Sequence, residues 1–76
     1  MELVQCIMDV HARIYYDYIE VEPAQLLFKE GHVYPVYKDE NYNWLTMDEE
    51  GEQHMIASNV KDLMNDVWCQ VHFRKL

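Results

Sequence analysis

Residues Trp44 to Ala57 read W-L-T-M-D-E-E-G-E-Q-H-M-I-A, two short apolar runs separated by four acids around one glycine. Alternation with a period of two sends successive side chains to opposite faces of a sheet. The stretch therefore predicts two antiparallel strands joined by a tight hairpin. Gly51 supplies the positive φ that such a connection demands. Leu45 and Met47 are expected on the core face, with Trp44 and Thr46 opposite. Asp48, Glu49, Glu50 and Glu52 are expected to solvate the tip.

Working outward, HVYPVYKD ahead of the hairpin reads as a strand, with Pro35 placed at an edge or a bulge because it has no ladder donor. ENYN at 40–43 reads as the turn between them. At the N-terminus, Val4, Cys6, Met8 and Val10 share one face of an extended segment, while Leu3 and Ile7 load the other and leave it only partly covered. Residues 12–30 form a long excursion. Its β-branched and aromatic residues suit a strand or a folded-over arm, Pro23 ends regular pairing, and AQLLFKEG suits one helical turn closed by Gly31. After the hairpin, Asn59 is expected to cap a helical turn in which Val60, Leu63 and Met64 cover one end of the sheet. Val67, Cys69, Val71 and Phe73 alternate with Trp68, Gln70, His72 and Arg74, which predicts a last strand with one buried face.

With 76 residues the chain is one small domain, 1–76, too small for a second core or a deep cleft. Five short strands bury an open sheet poorly, so closure is the economical solution. The order of elements predicts a mainly β, five-stranded SH3-like barrel with one short helical turn; a small α+β fold is the alternative.

Asp and Glu number 14 against six Lys and Arg, a net charge of −8. The cations are scattered at 13, 29, 38, 61, 74 and 75. Phosphate backbones need clustered cations, and an anionic bilayer repels this charge, so direct nucleic-acid and membrane binding are disfavoured. MELVQCIMDVH lacks the basic start and apolar run of a signal peptide, no apolar run approaches a membrane span, and two distant cysteines read as reduced thiols. Together these predict a cytoplasmic protein.

The V-x-C-I opening (Val4, Cys6, Ile7), the G-x-x-Y-x-V strand (Gly31, Tyr34, Val36) and the acidic D-x-x-G hairpin (Asp48, Gly51) resemble a group of small phage and prophage proteins of low-GC Gram-positive bacteria. The resemblance covers about two-thirds of the chain and departs in the aromatic insertion IYYDYIEVEP. It implies an SH3-like fold and an intracellular, phage-related origin in a bacterial host, and it carries over no catalytic residue.

His11, His32, His54 and His72, with Cys6 and Cys69, lack the spacing of a metal site, and no cofactor motif is present. Ser58 has no general base beside it, and Asp48 with Glu50 lies on a hairpin tip, so no catalytic site is expected. The aromatics are more informative. Tyr15, Tyr16, Tyr18, Tyr42, Trp44 and Trp68 fall outside the expected core faces, and Asp17, Glu20 and Glu22 rim the excursion. An aromatic patch with an acidic rim fits a protein interface. The expected function is a small acidic interaction module for a basic or nucleic-acid-handling host protein, or for a second copy. The alternative is an acidic DNA mimic that inhibits a nucleic-acid enzyme.

Overall fold

The structure is a computed structural model. It describes the backbone of residues 1–16 and 19–76, and the side chains of residues 1–12 and 25–76. Among the described residues, six strands are followed by two short helical segments and a last strand: β1 (Glu2–Cys6), β2 (Val10–Tyr16), β3 (Ile19–Phe28), β4 (Val33–Lys38), β5 (Trp44–Met47), β6 (Gln53–Ala57), a 3₁₀ turn (Leu63–Asn65), α1 (Val67–His72) and β7 (Phe73–Lys75). Five strands form one antiparallel sheet in the order β6-β5-β4-β1-β7, and β2 and β3 form a separate hairpin. The fold is mainly β, as the alternating runs predict, with the long excursion folded into that hairpin.

β4 serves two neighbours. Its first half pairs with β1 (Val4 opposite Tyr34, Glu2 opposite Val36), and its end pairs with β5 (Tyr37 opposite Leu45). Cys6 N–H donates to His32 C=O at 2.9 Å. By alternation, Tyr34 and Val36 also direct their backbone groups to β1, and Pro35 directs its own to β5. The β5 ladder begins only at Tyr37, so no donor is missed there, and the Pro35 carbonyl accepts from Thr46 Oγ1 at 2.7 Å. Pro35 thus occupies neither an edge strand nor a bulge. It marks the point where a central strand changes partner.

The core is built from Val4, Cys6, Phe28, Tyr34, Val36, Trp44, Ile56, Leu63, Cys69 and Phe73. Phe28 meets Tyr34 and Phe73 edge to face, with centroids 5.0 and 5.3 Å apart, the geometry that aromatic quadrupoles favour. Val60 and Met64 pack against this core and Leu63 lies within it, as expected. The cap of the 3₁₀ turn is Asp62, which accepts from Met64 N–H at 2.9 Å; Asn59 instead has a φ of 53°.

Three further expectations are overturned. β5 faces the other way: Trp44 and Thr46 are buried, and Met47 is exposed. Their polar atoms are satisfied inside, since Trp44 Nε1 donates to Val60 C=O at 2.9 Å and Thr46 to Pro35. AQLLF belongs to β3 rather than to a helical turn, and Pro23 falls where the β2–β3 register shifts, between the pairs Ile14–Val21 and Ala12–Gln25. Finally, Val67–His72 is helical. Asp66 caps it by accepting from Cys69 N–H at 3.0 Å, and Cys69 and Phe73, four residues apart, turn to the core together.

Val71 is therefore 46% exposed, while Phe73 is buried. Denaturant unfolding checks this assignment. Phe73→Ala is expected to cost about 3–5 kcal/mol, and Val71→Asp less than about 1 kcal/mol.

Candidate interaction surface

The acidic hairpin tip is held from within. Asp48 opens the turn, and its N–H donates to Glu52 C=O at 2.8 Å, while Gly51, at φ 83°, donates to Asp48 C=O at 3.1 Å. Asp48 Oδ1 accepts from the N–H groups of Glu50 and Glu52 at 2.8 and 2.9 Å. Aspartate favours this position because its short carboxylate reaches the backbone two residues on. Oδ2 accepts from His54 Nε2 at 2.6 Å, and the carboxylate is buried. The next residue fastens the turn to its surroundings. Glu49 N–H donates to Leu27 C=O at 2.9 Å, and Glu49 Oε1 accepts from the Tyr34 hydroxyl and from His32 Nδ1.

Burial pushes the Asp48 carboxyl up, but the Glu52 N–H, His54 and the Glu50 N–H outweigh it and hold the group below its ordinary range. The Tyr34 hydroxyl, followed by His32, holds Glu49 below its range as well. Burial, reinforced by Glu49, pushes Tyr34 up to about 12, so it remains a donor at neutral pH. Asp48, Glu52 and His54 bring potential ligand atoms within 4.8 Å of one another. Both Asp48 oxygens are already committed to N–H donors, so the group acts as a turn clamp.

The second turn of the sheet repeats the device. Asp39 Oδ1 accepts from Asn41 and Asn43 N–H at 2.8 and 2.9 Å, and the turn places Tyr42 at φ 61°. The two acidic turns lie at opposite ends of the β4–β5–β6 meander. Glu40, Glu50 and Glu52 remain exposed on them.

Between these turns lies an apolar outer face. Tyr37, Leu45 and Met55 stand opposite one another across three strands, and Met47 stands opposite Gln53. Tyr37, Met47 and Met55 are each about half exposed. Tyr37, Leu45, Thr46, Met47 and Gln53 line a hollow of about 210 Å³. Residues 33–57 carry Asp39, Glu40, Asp48, Glu49, Glu50 and Glu52 against one cation, Lys38. That ammonium lies over the rings of Tyr42 and Trp44, 5.1 and 5.7 Å from their centroids.

Of the aromatics singled out in the sequence, Trp44 is in the core, with its indole N–H bonded to Val60, and is removed from any contact surface. Tyr42 is exposed in the β4–β5 turn. Trp68 is exposed on α1 and stacks on His72 at 4.3 Å. Tyr15, Tyr16, Tyr18, Asp17, Glu20 and Glu22 lie outside the residues whose side chains are described. The sequence reading missed Tyr37, Leu45, Met47 and Met55 as surface residues. The signal was that both faces of β5 are apolar, so one of them had to be left uncovered. Cys6 and Cys69 are free and buried, and burial pushes both thiols up, Cys69 to about 12.

No protein-family model, curated protein or solved structure matches the chain.

The turn clamp has a pH signature. Asp48 and Glu49 are held below their ordinary values, so their contribution to stability is complete above the unfolded carboxylate range, near pH 4. It is lost as pH falls through the folded values. In denaturant titrations from pH 7 to pH 3, Asp48→Asn is expected to lower the midpoint at pH 7 and to flatten the acid limb. A limb as steep as the parent's would assign the acid sensitivity elsewhere.

Proposed function

We propose that this protein is a small cytoplasmic interaction module that receives an apolar, cation-bearing segment of a partner protein on the outer face of β4, β5 and β6. One observation carries the reading: an exposed apolar face, hollowed at its centre, lies between two acidic turns. Apolar centres with charged rims are the anatomy of protein interfaces, and the sign of the rim selects the sign of the partner. The basic partner expected from composition is retained, and its seat moves from the aromatic excursion to the meander.

The strand order, the hairpin between β1 and β4, and the helical turn before β7 support reading the fold as an SH3-like barrel. The phage or prophage origin rests on the resemblance in the Val4, Gly31 and Asp48 motifs. Phosphate mimicry calls for outward carboxylates, whereas Asp39 and Asp48 are spent inside their turns, which favours the protein partner over the DNA-mimic alternative.

Two capped heptapeptides test this, one alternating Lys with Val and the other Glu with Val. In an amide chemical-shift titration, the cationic peptide is expected to move Tyr37, Leu45, Met47 and Met55, and the anionic peptide to move none of them. Tyr37→Ala with Met47→Ala is expected to weaken binding at least about tenfold without unfolding the domain. Equal binding of the two peptides, or shifts confined to another face, would remove the reading.

A further inference from the structure

We propose that the partner segment adds as an extra strand along the free edge of β6, hydrogen-bonded to the backbones of Gln53 and Met55. This rests on the interaction reading above and specifies its binding mode.

The hydrogen-bond register defines the edge. Asp48 N–H donates to Glu52 C=O, which makes that pair hydrogen-bonded. Antiparallel pairs alternate, so Met47–Gln53 is non-bonded, Thr46–His54 bonded and Leu45–Met55 non-bonded. The N–H and C=O groups of Gln53 and Met55 therefore point away from β5. Strand β6 ends the sheet, and among the described residues no backbone hydrogen bond outside the β5–β6 ladder reaches either residue. Two donors and two acceptors in a row form a template for strand addition.

Side-chain space exists on both sides of this edge. A strand pairing with Gln53 and Met55 places the residues opposite them on the outer face, beside the hollow lined by Leu45 and Met47. The alternate residues point to the other side, and a second hollow of about 170 Å³, lined by Met55, Ile56, Ala57, Ser58, Asp66 and Trp68, lies at the end of β6. The first side takes an apolar side chain such as Val. The second offers the Trp68 indole, which is 43% exposed, and the negative charge of Asp66, whose oxygens accept from Cys69 and Ser58 N–H, a combination that attracts Lys or Arg. The occupant is thus an extended segment alternating apolar and basic residues. A second copy fits less well, because it brings its own net charge of −8 to an edge that already adjoins Glu52.

The Lys and Val heptapeptide serves as the probe, read by amide hydrogen exchange. Saturation is expected to slow exchange of Gln53 and Met55 at least about tenfold. N-methylation of the peptide's valines, which face Gln53 and Met55, is expected to abolish binding. Met55→Pro removes an edge donor and is expected to keep the fold and lose binding at least tenfold, whereas Met55→Ala keeps the edge. If the valine-methylated peptide binds as tightly as its parent, strand addition is overturned and the outer-face reading survives. If neither peptide binds, both fail. Concentration-dependent protection of the two amides without peptide would give the edge to a second copy and overturn the proposal.

Discussion

The carboxylate of Asp48 is the constraint on which the surface of this domain depends. It accepts from two backbone N–H groups and an imidazole, and so fixes the three residues between Asp48 and Glu52 as a connection with Gly51 in the left-handed region. That connection sets the register of β6 against β5 from Gln53 to Met55, beyond which the pairing shifts between Leu45 and Trp44. A slip of one residue would send Gln53 and Met55 inward and His54 and Ile56 outward. Glu49 adds the second fixing by tying the same turn to Leu27, Tyr34 and His32, and hence to the end of β3 and the start of β4. The acids that read as a solvated tip are, at their first two positions, the fastening of the sheet.

The backbone requirements of the fold were legible in the chain. Gly31 and Gly51, at φ 90° and 83°, mark turns that other residues resist, and the runs between them alternate as strands must. Facing was harder to read wherever polar atoms are satisfied by distant partners. Nothing beside Trp44 or Thr46 in sequence reveals that Val60 and Pro35 will accept their hydrogens, yet those two bonds decide which side of β5 is buried. The C-terminal segment misled for a related reason. V-W-C-Q-V-H-F alternates by two, but Cys69 and Phe73 are also one helical turn apart, and the discriminating signal was Asp66, an N-cap immediately before the run.

The exposed apolar face of the meander was legible in composition and not in position. Composition pointed to apolar and acidic groups sharing a surface, and the meander exposes an apolar face between two acidic turns. Large aromatics drew attention because they dominate interfaces, but in a chain this small they are also the best core material. Trp44 went to the core with Phe28, Tyr34 and Phe73, and the surface was left to Leu45, Met47, Met55 and Tyr37. Leu3 carried the same hint, since it shares the second face of β1 and is 44% exposed.

An apolar sheet face beside an open edge is ordinarily an aggregation hazard, and proteins blunt such edges with charge. Here the charge is of one sign. Glu50 and Glu52 stand beside the start of β6, Asp66 lies across from its end, and the whole chain carries −8. Two copies approaching edge to edge bring these carboxylates together, at a cost that grows as salt is lowered. A cationic strand meets the same groups as attraction. The charge distribution that opposes edge-to-edge pairing of identical copies is therefore the same one that would favour the cationic strand of the proposed binding mode.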